Sequence, residues 1–181
     1  MTYLSHVVRG AVFASALMAL IFASTPWALA DDANVVKWDQ IIGSASPFQP
    51  IGGIASVGFP WSAEKGKAWV HLETGHVKFN VKGLVLAGST PLAVAGTIGI
   101  ITKVKGTLVC NGVSTVASSL VDTPPVPLDP QGNAEFVGDV AIPTACLLTT
   151  DKLAFVIRVA ETSENPTIVD KWNAVGVVRA P

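Results

Sequence analysis

The chain has few of the residues from which catalytic and metal sites are usually built. Its 181 residues include three histidines, two cysteines and one tyrosine, and only 14% of the side chains are charged. The two cysteines lack the CxxC spacing of a metal motif. No phosphate-binding or cofactor motif is present, and no cofactor is expected. These absences argue against the common classes of metal-dependent and nucleotide-dependent enzymes.

Hydrolytic chemistry is equally poorly supported. Beyond residue 30, only His71 and His76 can act as imidazole bases. The string Ile54–Gly58 lacks the first glycine of a Gly-x-Ser-x-Gly turn. Glu135 and Asp139 fall on one outward strand face, but nothing in the pattern pairs them as the two carboxylates of a glycosidase. The sequence therefore favours a protein that is not an enzyme.

Positive charge is not in excess. The formal net charge is −1, and removing Arg9 from the 12 basic residues leaves 11 against 13 acidic ones beyond residue 30. Nucleic acids and anionic membranes are recruited by a concentrated positive field. We therefore expect no nucleic-acid partner, whereas a protein or polysaccharide partner remains open.

The first thirty residues have the three parts of an export signal. Arg9 supplies the charge of the n-region, an apolar run follows over Ala11–Ala23, and Ala28 and Ala30 place small side chains at the signal-peptidase positions. We expect cleavage before Asp31. An apolar run of about 13 residues is too short to cross the ~30 Å hydrocarbon layer as a helix. A secreted or periplasmic protein with no stable membrane anchor is therefore predicted.

The cysteines, Cys110 and Cys146, can form a single disulfide in an oxidising compartment. In the chain-entropy description, closing a loop of about 37 residues stabilises the fold by about 4 kcal/mol. The alternative roles, as free thiols or metal ligands, lack a neighbouring histidine. The sequence therefore predicts a disulfide.

Most of the remaining chain alternates apolar and polar residues with the period of a β-strand. The clearest unit is the hairpin Lys67–Lys82, in which Thr74 and Gly75 predict a two-residue turn. That turn would pair Glu73 with His76. It would place all the apolar residues of the hairpin on one face: Ala68, Val70, Leu72, Val77, Phe79 and Val81.

Further strands are predicted at Val35–Ile42, Ile98–Cys110, Val113–Val121, Asn133–Ile142, Leu153–Val159 and Lys171–Arg179. The segment Leu153–Val159 is nearly all apolar, which is typical of a buried central strand. Two proline-rich loops, Gly43–Ala63 and Asp122–Gly132, are expected to cross between sheets. The prediction is an all-β domain over residues 31–181, a two-sheet β-sandwich with eight or nine strands and Greek-key-like crossings.

Two constellations on the hairpin suggest chemistry. On the predicted register His71, Glu73 and His76 share the polar face, and two imidazoles with a carboxylate can hold zinc or copper. The alternative is a solvated face with a Glu73–His76 pair. Trp69 lies on the same outward face, where a tryptophan can stack on sugar rings or anchor a protein partner.

Other tryptophans are less distinctive. Trp61 is a second candidate for ligand binding, whereas Trp38 and Trp172 are equally suited to closing the ends of a sandwich. The alternative for Trp69 is that the loop Gly43–Ala63 covers it.

The stretch Gly52–Trp61, the segment Val81–Leu86 and the strands that carry the two cysteines together resemble a group of uncharacterised secreted bacterial proteins. The likeness covers most of the chain beyond residue 30; it implies export and a β-sandwich, and it implies no activity. The Glu73-Thr74-Gly75 turn and Gly83-Leu84 are also similar to the opening of chordin-type (CHRD) extracellular domains, although this chain lacks their following His-x-His string.

The sequence favours an exported, non-enzymatic β-sandwich with a binding or structural role at the cell surface or in the periplasm. A metal-binding protein or metal-dependent enzyme that uses His71, Glu73 and His76 is the first alternative. A carbohydrate-binding module that uses Trp69 is the second.

Expression of the chain in an exporting host tests the signal peptide. We expect intact-mass analysis of the exported product to show an N-terminus at Asp31, because Ala28 and Ala30 meet the small-residue rule of the peptidase. A product that retains Met1, or that stays with the membrane fraction, would contradict this prediction. Replacing Ala30 with a bulky residue should block the cleavage.

Overall fold

The computed structural model describes residues 34–45, 50–88, 94–112, 118–148 and 150–179. They belong to one compact unit, Asp32–Pro181. The predicted signal peptide, with Ala28, Ala30 and Asp31, lies outside the described residues, as do residues 113–117 of one predicted strand. Among the described residues, no helix has the length and apolar character needed to cross a membrane.

The described residues contain eleven strands and very little helix. The strands are β1 (Val35–Gly43), β2 (Trp61–Ser62), β3 (Lys65–His71), β4 (His76–Lys82), β5 (Val85–Leu86), β6 (Ile101–Val109), β7 (Leu120–Asp122), β8 (Val126–Pro127), β9 (Ala134–Asp139), β10 (Ala154–Thr162) and β11 (Trp172–Arg179). One short helix, α1 (Thr144–Leu147), and two 3-10 turns, Thr150–Lys152 and Pro166–Ile168, complete the assignment. The predicted β class is confirmed.

Nine strands form one antiparallel sheet. Its order is β7-β6-β10-β11-β1-β3-β4-β9, and β8 pairs with β6 beside β7. The strands β2 and β5 form a separate two-stranded sheet. The first and last strands, β1 and β11, are neighbours in the middle of the large sheet.

The large sheet is curled, so that distant strands face each other across the core. Three strands separate β10 from β4, and a flat sheet would hold them about 19 Å apart at ~4.8 Å per step. The rings of Phe155 on β10 and Phe79 on β4 nevertheless lie 5.8 Å apart between centroids. One curled sheet thus supplies both walls of the core, and the predicted division into two stacked sheets is not confirmed.

The predicted inward face of the hairpin is confirmed. All six of its apolar residues are at most 3% exposed: Ala68, Val70, Leu72, Val77, Phe79 and Val81. The central position of β10 is also confirmed, since its residues from Phe155 to Val159 are buried on both faces. Alternation of side chains therefore predicts the inside of this sheet correctly.

The predicted disulfide between Cys110 and Cys146 is present. Cys110 directly follows β6, and Cys146 lies in α1, in the connection between β9 and β10. Both residues are buried against the main core. The bond therefore ties the β9–β10 connection to the end of β6.

The two proline-rich loops run differently: the first leads from β1 in the large sheet to β2 in the small one, as predicted, whereas the second stays within the large sheet. The first loop folds back on the outer face of the sheet, where Ile54 packs with Val109, Val156 and Trp172 in a second, smaller cluster. The second loop contains β8, and residues 128–133 then carry the chain from the β6 side of the sheet to the β4 side. Asp129 holds this turn, because its carboxylate accepts hydrogen bonds from the backbone N–H groups of Gln131 and Asn133.

Gly106 on β6 makes room for the facing phenylalanines. A Cβ atom at this position would lie 2.6 Å from the ring of Phe155 and 2.7 Å from that of Phe79. We expect Gly106→Ala to lower the free energy of unfolding by about 1–3 kcal/mol, because both rings are locked in the core. Urea unfolding followed by tryptophan fluorescence measures the effect.

The matched control is Gly58→Ala, since a Cβ atom there meets nothing within 4 Å. This change should alter the free energy of unfolding by less than about 0.5 kcal/mol. Equal losses for the two substitutions would contradict the packing described for Gly106.

Candidate functional site

The hairpin turn is longer than predicted, and the register changes with it. Strand β3 ends at His71 and β4 begins at His76, so four residues form the turn. The backbone N–H of Gly75 donates to the carbonyl of His71 at 2.8 Å, and Gly75 has a φ of 75°. Trp69 therefore pairs with Lys78, where the two-residue turn would have paired His71 with Lys78. A shift of two residues preserves the inward face, but it changes every cross-strand pair.

The three candidate metal ligands consequently do not converge. Glu73 lies in the turn, where its carboxylate accepts a hydrogen bond of 2.6 Å from the amide of Asn34. The Nδ1 atom of His76 lies 2.7 Å from a carboxylate oxygen of Asp139 on β9. The Nδ1 atom of His71 accepts from the backbone N–H of Thr74 at 3.3 Å.

Among the described residues, no three metal-ligating side chains are placed together to hold an ion. The prediction that Glu73 pairs with His76 is wrong, because that pair depended on the shorter turn.

Trp69 lies at the centre of the outward face of β1, β3, β4 and β9. Lys37 on β1 and Lys78 on β4 are its direct cross-strand neighbours on either side. Val137 on β9 is paired with Lys78 and extends the row, with 54% of its surface exposed. The neighbouring strands thus place Trp69 between two lysines. We call the surface formed by these residues the Trp69 face: Lys37, Lys67, Trp69, His76, Lys78, Asn80 and Val137.

Two imidazoles orient the Trp69 ring. The rings of His76 and Trp69 are 5.2 Å apart at 79°, and the rings of His71 and Trp69 are 6.5 Å apart at 67°. His76 is itself held by Asp139. The half-buried Trp69 is therefore fixed in place before any ligand arrives, which lowers the entropy cost of binding.

A cavity of about 400 Å³ lies on the Trp69 face. Its lining consists of Lys37, Trp38, Asp39, Lys67, Ala68, Trp69, His76, Lys78 and Asn80. Three lysines against one aspartate make the cavity locally positive in a chain of formal net charge −1. Such a site attracts negative charge and offers a planar apolar surface for a ring to rest on.

The described part of the proline-rich loop does not contribute to this cavity. The other tryptophans are buried: Trp38 and Trp172 at 3% exposure and Trp61 at 6%. Trp61 forms part of the wall of a separate apolar cavity. Trp69 is therefore the tryptophan most open to a ligand among these four.

A second charged cluster lies beside β6 and β10. Lys105 and Arg158 are direct cross-strand partners, and two like charges in this arrangement repel each other. Asp122 contacts both, at 2.7 Å from Lys105 and 2.9 Å from Arg158. Asp170 also contacts both, at 2.7 Å and 3.1 Å. The cluster is fully paired, and it explains how Arg158 can be buried in a central strand.

No family model, curated protein or solved structure matches this chain.

The paired cluster predicts a pH dependence of stability. Burial alone would raise the pKa of Asp122, but Lys105, Thr107 and Arg158 together lower it below its ordinary value of 3.8. A carboxylate with a lowered folded-state pKa stabilises the fold fully above the unfolded value, and this stability is lost as the pH falls below 3.8 and through the lower folded-state pKa. We expect Asp122→Asn to cost about 1–2 kcal/mol at pH 7, and the cost should shrink as the pH falls below 3.8.

Urea unfolding at a series of pH values measures this difference. Asp151→Asn is the control, because Asp151 lies exposed in the 3-10 turn Thr150–Lys152 and outside the cluster. A difference between the parent and Asp122→Asn that is constant from neutral to acid pH would contradict the ion-pair explanation.

Proposed function

We propose that this chain is an exported, non-enzymatic binding protein whose Trp69 face holds an acidic polysaccharide. The observation that carries the proposal is the cross-strand row in which Lys37 and Lys78 flank Trp69. A sugar ring has an apolar face that suits an indole, and a uronate or sulfate group suits a lysine. A rigid sheet that presents these groups in a row fits an extended polymer better than a compact small molecule.

Localisation forms part of the proposal. A signal peptide over residues 1–30 and a disulfide are consistent with an extracytoplasmic compartment, where polysaccharides are available as partners. In this proposal the two facing walls of the curled sheet serve as the layers of a sandwich-type scaffold. The alternative metal-binding role is not proposed, because Glu73 and His76 are hydrogen-bonded to other partners.

An acidic glycan accounts for the site better than a nucleic acid does. Proteins that bind single strands combine an extended positive groove with several stacking platforms. The Trp69 face has one indole, and it carries Asp39 beside its lysines and Asp139 beside His76. Both carboxylates weaken the positive field that a strand of phosphates requires, and a single indole suits the apolar face of one sugar ring.

Binding of polygalacturonate to the purified protein tests the proposal. We expect Trp69→Ala to weaken binding by about 2 kcal/mol, or some thirtyfold, because the central aromatic contact is lost. Trp69→Phe should retain part of the affinity. Isothermal titration calorimetry or affinity electrophoresis in a gel that contains the polymer would measure both.

The lysines give a second, electrostatic readout. Lys67→Ala and Lys78→Ala should each weaken binding up to about fivefold at low salt, and both effects should shrink at high salt. Lys152→Ala is the control, because Lys152 is exposed and lies outside the cavity. Polygalacturonate binding that Trp69→Ala leaves unchanged would overturn the proposal. Displacement of the polymer by oligothymidylate at the same concentration of charged groups would also overturn the proposal, and it would favour a single-stranded nucleic acid as the ligand.

A further inference from the structure

A second cavity, of about 290 Å³, shares no residue with the lining of the Trp69 face. It lies where the two-stranded sheet of β2 and β5 meets the segment 94–101 and the 3-10 turn Pro166–Ile168. Its lining is almost wholly apolar and includes Val57, Trp61, Leu86, Ile98 and Ile101. A ligand there contacts none of the residues that line the proposed polysaccharide site.

The cavity has a buried floor and an open rim. On the floor Val57, Trp61 and Ile101 are at most 6% exposed. At the rim, Phe59 is 54% exposed and Val94 is 37% exposed. Large apolar side chains exposed around a concave apolar surface are typical of a binding site, because exposure of this kind is costly without a ligand.

The backbone around the cavity makes its own hydrogen bonds. The N–H of Leu86 donates to the carbonyl of Thr97 at 2.8 Å, and the N–H of Gly96 donates to the carbonyl of Leu86 at 2.9 Å. The N–H of Ile101 donates to the carbonyl of Ile98 at 3.2 Å. Because these backbone N–H and carbonyl groups are already hydrogen-bonded, the walls of the cavity present mainly apolar side chains to a ligand.

Two lining residues are polar, and only one of them carries charge. The side-chain oxygen of Asn165 accepts hydrogen bonds from the backbone and hydroxyl of Thr167, at 2.9 Å and 2.6 Å. Lys171 has no carboxylate partner among the described residues. Its ammonium group therefore supplies one positive charge to an apolar cavity, which matches a molecule with an apolar body and a single negative head.

We propose that this cavity binds an aliphatic carboxylate of about ten carbons, with its chain against Trp61 and Leu86 and its head at Lys171. An apolar protein cavity of about 150 Å³ accommodates benzene, so a volume near 290 Å³ suits roughly ten to twelve carbon atoms. A charged head that is paired with Lys171 stays at the rim, while the chain replaces water on the floor.

Calorimetric titration of the purified protein with straight-chain carboxylates tests the proposal. From hexanoate to decanoate, the affinity should rise roughly fourfold for each added methylene, and it should level off beyond about ten to twelve carbons. Lys171→Met should weaken decanoate binding about tenfold and leave decanol binding within about twofold, because only the charged head is affected. Lys171→Arg should retain decanoate binding.

Three further variants distinguish binding at this site from nonspecific hydrophobic binding. Ile98→Trp fills the cavity and should abolish binding of both decanoate and decanol. Lys152→Met and Trp69→Ala, whose residues lie outside the cavity, should bind decanoate as the parent does. The proposal is overturned if decanoate does not bind at millimolar concentration, if Lys171→Met binds it unchanged, or if affinity keeps rising steadily through hexadecanoate.

Discussion

The contact between Phe79 and Phe155 is the constraint on which the rest of the structure depends. These rings belong to strands that are four steps apart in the sheet, and their contact at 5.8 Å requires the sheet to curl back on itself. Gly106 permits the contact because it has no side chain between the rings. The curl gives a single sheet two facing walls. It leaves the outer surfaces of β1, β3, β4 and β9 facing away from the core, and those surfaces carry the Trp69 face.

Much of the fold could be predicted from local patterns. Alternation identified the buried residues of β3 and β4, the central strand β10 and the outward position of Trp69, and the cysteine count identified the disulfide. The inward face of the hairpin is the same in both registers, because a shift of two residues returns each side chain to the same face. The turn was mispredicted because Thr74-Gly75 resembles a two-residue turn, whereas the hydrogen bond from Gly75 to His71 closes a four-residue one.

The candidate sites depend on pairings that no local pattern contains. Lys37 reaches Trp69 only because β1 lies beside β3, and the apolar cavity brings together segments that are more than 100 residues apart in the chain, from Val57 to Lys171. The strands that face each other across the core belong to one sheet because that sheet is curled. The curl arises from packing across the core, which no local pattern in the sequence contains. Alternation places Trp69, Lys67 and Lys78 on one outward face, whereas Lys37 joins them only through the pairing of β1 with β3.

The position of β1 between β11 and β3 has a consequence for how the chain reaches its folded state. One edge of β1 pairs with β3, which is close in sequence, and the other edge pairs with β11, which is more than 130 residues away. The middle of the sheet is therefore incomplete until the segment Trp172–Arg179 is in place. Topologies with such distant partners fold slowly, since loop-closure entropy is lost before the contacts form. The centre of the sheet therefore cannot close until nearly the whole of Val35–Arg179 has been synthesised.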